Sequence, residues 1–160
     1  MSKLPLPVIR PARPDDRDAV EAVVHAAYSI YVDRIGKPPG PMLDNYTAQI
    51  ADGSVSVVED RTHNIAGIIV LIPCSDHLLL DNIAVRPEYQ GQGFGRVLIE
   101  FAEGEADRLG YSRIRLYTHE KMTENIDLYR RIGFVESGRG QQGGYDRVFM
   151  VKDLESKWPG

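Results

Sequence analysis

The stretch RPEYQGQGFGR, residues 86–96, places glycine at positions 91, 93 and 95, directly ahead of a helix-forming run. Glycine loses more conformational freedom on ordering than any other residue, so such a cluster demands a reason. A strand ends before it and a helix begins after it. There, unpaired backbone N–H groups point outward and the helix dipole favours an anion. Isolated glycines serve a sharp turn equally well; three on alternate positions before a helix read as an anion-binding loop. The dinucleotide fingerprint requires a third glycine where Arg96 stands, and the phosphate loop of nucleotide hydrolases requires a lysine that is absent. Neither common nucleotide motif is present.

Other chemistry-bearing residues are sparse. Asp81 interrupts the apolar run LLLDNIAV, as a catalytic carboxylate, a paired buried aspartate or a mark of a bulge. His25, His63, His77 and His119 show no metal-ligand spacing, and no metal is expected. His119 reads as an exposed loop residue. The single Cys74 excludes an internal disulfide and reads as a core filler rather than a nucleophile.

These residues need a scaffold, and 160 residues are enough for one domain, expected over 1–154 with a frayed tail at 155–160. Hydrophobic residues make up 42% and charged residues 26%, as in ordinary globular proteins, and the net charge of −4 disfavours a nucleic-acid partner. The longest apolar run, 65–72, is too short to cross a bilayer, so no membrane partner is expected. The N-terminus is broken by prolines and lacks the apolar core of a signal peptide, which predicts a cytoplasmic protein.

Periodicity predicts a strand over 8–10 and a helix over about 16–31, capped by Asp15 or Asp16. The proline- and glycine-rich 34–42 then predicts a loop, followed by a short helix over 43–51. A hairpin follows, with strands on either side of 60–64 and the second buried on both faces. A strand over 77–85 stops at Pro87. A helix over 95–109 carries the stripe Leu98, Phe101, Ala102 and Leu109 and closes on Gly110. A strand over 113–118 and a helix capped by Thr123 and stopped at Gly133 come next. Two last strands are joined by the loop GQQGG. The order β-α-α-β-β-β-α-β-α-β-β implies an α/β layered domain with a mixed sheet.

Gln90-Gly91-Gln92-Gly93-Phe94-Gly95 has the form Q/R-x-x-G-x-G/A and resembles the pyrophosphate-binding motif of the GNAT superfamily, the acyl-CoA-dependent N-acyltransferases. IAVRPEYQGQGFGRVLI resembles that family's fourth strand, loop and third helix. ENIDLYRRIGF resembles its later Asn and LY..LGF signature, and VIRPARPDD its first strand and helix cap. The resemblance covers nearly the whole chain in the family's element order. It implies a mixed sheet of six to seven strands with about four helices, the fourth and fifth strands splayed apart.

It also implies acetyl-CoA as donor, its pyrophosphate on the amides of about Gln92 to Arg96. Arg96 would then add a charge-assisted contact or remain a solvated helix residue. The pantetheine arm would pair with the edge Ile83, Ala84 and Val85, with the Val85 N–H stabilising the oxyanion. Asn125 would hold that arm, and Tyr129, a phenol protonated at neutral pH, would protonate the departing thiolate. Asp81 is the best candidate base and Glu120 a poorer one; transfer is direct, without a covalent enzyme intermediate. Tyr28, Tyr31 and Tyr46 are candidates to line the pocket of a small amine, and Tyr28 and Tyr31 suit a packing face equally. A homodimer through the C-terminal strands fits the family. The favoured reading is an N-acetyltransferase acting on a primary amine of a small molecule; the rival is a non-catalytic acyl-CoA-binding module.

Overall fold

A computed structural model describes residues 7–154; the tail expected over 155–160 lies outside them. Seven strands form one mixed sheet in the order β1-β2-β3-β4-β5-β7-β6. They are β1 (Val8–Pro11), β2 (Val55–Glu59), β3 (Ile65–Pro73), β4 (Leu78–Val85), β5 (Arg113–His119), β6 (Val135–Gln142) and β7 (Tyr145–Asp153). The helices are α1 (Arg17–Ile35), α2 (Tyr46–Ala51), α3 (Phe94–Leu109) and α4 (Thr123–Ile132). The sheet, the helix number and the element order are those the sequence predicts. The chain divides into two compact units, Met1–Val70 with Asn82–Phe101 and Leu71–Asp81 with Ala102–Gly160.

In the first unit, β1, β2 and β3 pair antiparallel, and the β-branched run of β3 is buried almost throughout, as its lack of alternation requires. Helix α1 buries Val20, Val23, Val24, Tyr28 and Tyr31. It runs four residues past the expected Tyr31, because Gly36, at φ 89°, supplies the left-handed stop that no earlier residue offers. The loop expected over 34–42 contains a 3-10 turn at Gly40–Leu43, and α2 begins only at Tyr46, capped by the Asn45 side chain. Gly67 of β3 is forced by close approach: a Cβ there would lie 2.8 Å from the Ala84 carbonyl oxygen of β4.

In the second unit, β5 pairs antiparallel with β7 from Arg113↔Asp153 to His119↔Arg147, and β6 pairs antiparallel with β7. The loop GQQGG is mostly strand: β6 continues through Gln142, leaving Gly143 and Gly144 as a two-residue turn. Both have positive φ (60° and 83°), which matches the twist of a tight hairpin. The first-turn cap of α4 is Met122, not Thr123, which is already helical. At the other end of α4, Lys152 Nζ lies 2.8 Å from the Ile132 carbonyl and 2.6 Å from Glu103 Oε1, so an ammonium closes the negative helix end. Cys74 is half-buried in the turn before β4 rather than a core filler, and its carbonyl accepts the Tyr111 hydroxyl.

The ladder between β4 and β5 is parallel and three pairs long, Leu78↔Ile114 to Leu80↔Leu116. Strand β4 continues to Val85 and β5 to His119 beyond the paired residues.

Candidate active site

In the first unit, the loop between β4 and α3 explains its glycines in two ways. Gly91 and Gly93 have φ of 81° and 89°, and a Cβ at either would meet nothing within 4 Å. The backbone conformation demands glycine there, and the space beside it is open to a ligand. Gly95 lies inside the first turn of α3. The first helical bond runs from Val97 N–H to the Gly93 carbonyl, 3.0 Å. The N–H groups of Phe94, Gly95 and Arg96 therefore have no acceptor within the helix. Arg96 is exposed on the same turn, which carries no acidic residue. Donors, dipole and cation all suit a pyrophosphate.

The loop is fixed from below by residues that local sequence patterns do not reveal. Tyr89 donates its hydroxyl to Asp60 at 2.6 Å, and its ring meets Phe94 edge-on at 5.4 Å. Asp60 also accepts from the Thr62 hydroxyl and from the Thr62 and Asn64 amides. The Tyr89 hydroxyl, followed by these donors, holds the Asp60 carboxyl well below the usual carboxylate range. Gln92 donates its side-chain amide to the Glu88 carbonyl at 3.1 Å.

The edge of β4 follows from backbone alternation. Arg86 N–H bonds to the Ala66 carbonyl, so Arg86 and Ala84 face β3, while Ile83 and Val85 turn their backbone groups the other way. On that edge side chains take the carbonyls: Tyr28 donates to Ile83 O at 3.0 Å, and Gln90 to Val85 O at 3.3 Å. The Ile83 and Val85 N–H groups point along the same edge. Asn82, 2% exposed, anchors the strand. Its Oδ1 accepts from Tyr28 at 2.7 Å, and its Nδ2 donates at 2.9 Å to Tyr46 Oη, which in turn donates to the Pro41 carbonyl at 2.5 Å. The structure thus brings Tyr28 and Tyr46 together in a buried network on Asn82. Tyr31 is buried beside Tyr28, ring centroids 6.3 Å apart, with the Arg34 guanidinium 5.1 Å over its ring.

In the second unit, Asp81 is half-buried and accepts the Tyr117 hydroxyl at 2.8 Å. His119 is not an exposed loop residue: it is the last residue of β5 and 4% exposed, because the ladder with β7 runs through it. Burial, with smaller contributions from Arg147 and Lys121 against Asp146 and Glu120, pushes its pKa down. Its Nδ1 accepts the Lys121 N–H at 3.1 Å, which assigns the ring proton to Nε2. Glu120 is exposed, 3.9 Å from Arg139. On α4, Asn125 is half-buried with Nδ2 3.8 Å from Met122 Sδ, and Tyr129 is 4% exposed, its ring packed edge-on against Phe134 at 5.9 Å. No group of three or more His, Cys, Asp or Glu side chains able to hold a metal occurs among the described residues. No helix among them is long and apolar enough to cross a membrane.

The profile of the acetyltransferase (GNAT) family matches residues 21–134. Over 110 residues the chain is 33% identical to a spermidine N(1)-acetyltransferase of Vibrio cholerae serotype O1, 64% of each protein. Over 62 residues it is 39% identical to the [ribosomal protein bS18]-alanine N-acetyltransferase of Escherichia coli, 39% of this chain and 42% of that one. The chain thus spans under two thirds of the length of these relatives. The crystal structure of PaiA N-acetyltransferase from Thermoplasma acidophilum in complex with coenzyme A matches with a TM-score of 0.77 at 18% identity, covering 93% of this chain and 99% of that one. At that identity the likeness shows the fold alone. Fold, loop and profile agree: the chain belongs to the acetyltransferase (GNAT) family.

Proposed function

We propose that the chain is an N-acetyltransferase that moves the acetyl group of acetyl-CoA directly to a primary amine of a small molecule. The observation that carries this reading is the start of α3, where three amides without helical acceptors follow two left-handed glycines and open space. Acetyl-CoA, when bound, supplies the activated acyl group. The Phe94, Gly95 and Arg96 amides hold its pyrophosphate, within the wider loop Gln90, Gly91, Gln92 and Gly93. The edge of β4 takes the pantetheine arm through the backbone groups of Ile83 and Val85, Ala84 lying between them with its own toward β3, and Asn125 is a further partner. The Val85 N–H, aimed away from β3, stabilises the oxyanion. Asp81 takes the proton the amine loses, and Tyr129 supplies one to the leaving thiolate.

The reading extends to a cytoplasmic, homodimeric enzyme with one catalytic domain over 1–154. Its net charge of −4 supports a small-molecule acceptor over nucleic acid. The test is release of free CoA thiol from acetyl-CoA in the presence of an amine panel, with Tyr129→Phe alongside. An enzyme releases thiol with an acceptor, and Tyr129→Phe lowers turnover about 100-fold or more while acetyl-CoA affinity stays within about twofold. Acetyl-CoA binding with no thiol release for any amine would reduce the chain to an acyl-CoA-binding module.

A further inference from the structure

We propose that Arg147 receives a carboxylate, which makes the acceptor a small amine that also carries a carboxylate, an amino acid or a close relative; the acceptor assignment rests on the acetyl-transfer reading above. Arg147 sits on β7 opposite His119. Its guanidinium carbon lies 4.7 Å from the Tyr117 ring centroid and 4.9 Å from that of Tyr145. Its Nε is buried and has no hydrogen-bond partner. The surrounding carboxylates are engaged elsewhere: Asp146 accepts from Gln141 at 3.1 Å, and Glu120 faces Arg139.

A guanidinium is always charged, and a buried donor without an acceptor is costly and rare. Other arginines of this chain show the ordinary solution. Arg10, Arg108, Arg113 and Arg139 each meet a carboxylate at 2.6–2.7 Å. At Arg147 two phenol rings hold the fork instead. The two rings flank the guanidinium, and its unpaired Nε–H is left for an oxyanion, the group a guanidinium binds best.

Tyr117 makes the geometry specific. Its hydroxyl donates to the Asp81 carboxylate, and its ring lies under the Arg147 guanidinium. One side chain therefore carries a negative group at its tip and a positive group on its face. An amino acid matches that order, with its amine toward Asp81 and its carboxylate toward Arg147. His119, opposite Arg147 on β5, is buried, which lowers its pKa and disfavours a second positive charge there. A polyamine such as spermidine has no group for Arg147 and is repelled by it.

The test uses the full chain labelled with 15N-arginine, the Arg147 Nε–H resonance being assigned by its loss in Arg147→Lys. The protein is titrated with each proteinogenic amino acid, its primary carboxamide and spermidine, and the same panel is run with acetyl-CoA. At least one amino acid should move the resonance saturably, with its carboxamide weaker by at least about tenfold, since a built polar site rejects the analogue that leaves it unpaired. That amino acid should be acetylated, and Arg147→Lys should raise its KM by about tenfold or more with kcat largely kept. A resonance unmoved by every amino acid, or moved equally by carboxamides, overturns the carboxylate site. Acetylation of spermidine or carboxamides as fast as of amino acids overturns the acceptor assignment while acetyl transfer stands. Carboxylate binding with no acetylation of any amine leaves the site and removes the transfer reading.

Discussion

Replacing Tyr28 by Phe isolates one hydroxyl in the network that anchors β4. In the parent, that hydroxyl's single proton is shared between two buried acceptors, Asn82 Oδ1 at 2.7 Å and the Ile83 carbonyl at 3.0 Å. The ring itself is 5% exposed and keeps its packing in the variant. Each acceptor orphaned in a buried site costs about 1–3 kcal/mol, and carbonyls sit at the mild end, so the pair together should cost about 2–3 kcal/mol. For a chain of this size 1 kcal/mol moves the midpoint about 2–4 °C, which gives a fall in Tm of roughly 4–12 °C. Thermal unfolding followed by circular dichroism reads the shift, and urea titration should show a lower midpoint at unchanged slope. Tyr46→Phe leaves Asn82 Nδ2 without its acceptor, so the two substitutions share one amide and should be non-additive by about 0.5 kcal/mol or more. A Tyr28→Phe protein melting within about 1 °C of the parent would refute the reasoning. It would mean that the Asn82 amide is not held by this hydroxyl.

Other perturbations read other parts of the structure. Gly67→Ala would drive a Cβ to 2.8 Å from the Ala84 carbonyl, backbone that has nowhere to swing, so a loss of about 3 kcal/mol or more is expected in urea unfolding. Parental stability would contradict the close approach of β3 and β4. His119 takes up its proton less readily in the folded chain than its ordinary 6.5, chiefly because it is buried. Below about pH 6.5 the unfolded chain therefore binds more protons, and stability should decline as pH falls through that range, while above it both states are neutral and the contribution vanishes. Urea midpoints across that range should decline less steeply in His119→Gln; equal slopes would count against the buried, neutral imidazole.

The legible part of this protein is local. Glycines at 91, 93, 110 and 133 announce left-handed backbone at the ends of helices and in the loop, and the structure gives all four positive φ. The β-branched run of β3 and the proline at 87 set strand limits that hold to within a residue. What stayed hidden depends on partners far along the chain. Asn82 meets Tyr28 and Tyr46 across 54 and 36 residues, and nothing in LLLDNIAV marks its amide as an anchor. The burial of His119 follows from the length of the β5–β7 ladder, which a strand expected to end at Thr118 does not contain. The stacking of Arg147 on Tyr117 and Tyr145 arises across two strands and has no period to read. Asp60 looks like an ordinary turn residue until Tyr89 reaches it from the loop below α3.

The most direct test of the central claim is a calorimetric titration of the purified chain with acetyl-CoA, with ATP and NAD as controls and Gly93→Asp as the variant. Gly93 lies at φ 89° where the helix begins, so an aspartate there puts both backbone strain and a negative charge beside the proposed pyrophosphate site. The account predicts saturable binding of acetyl-CoA, little heat from ATP or NAD, and affinity at least about tenfold weaker in the variant, or about 1.4 kcal/mol. Absence of acetyl-CoA binding in the parent, or equal binding by a folded Gly93→Asp protein, would contradict it and leave the glycines of this loop with no role beyond turning the chain.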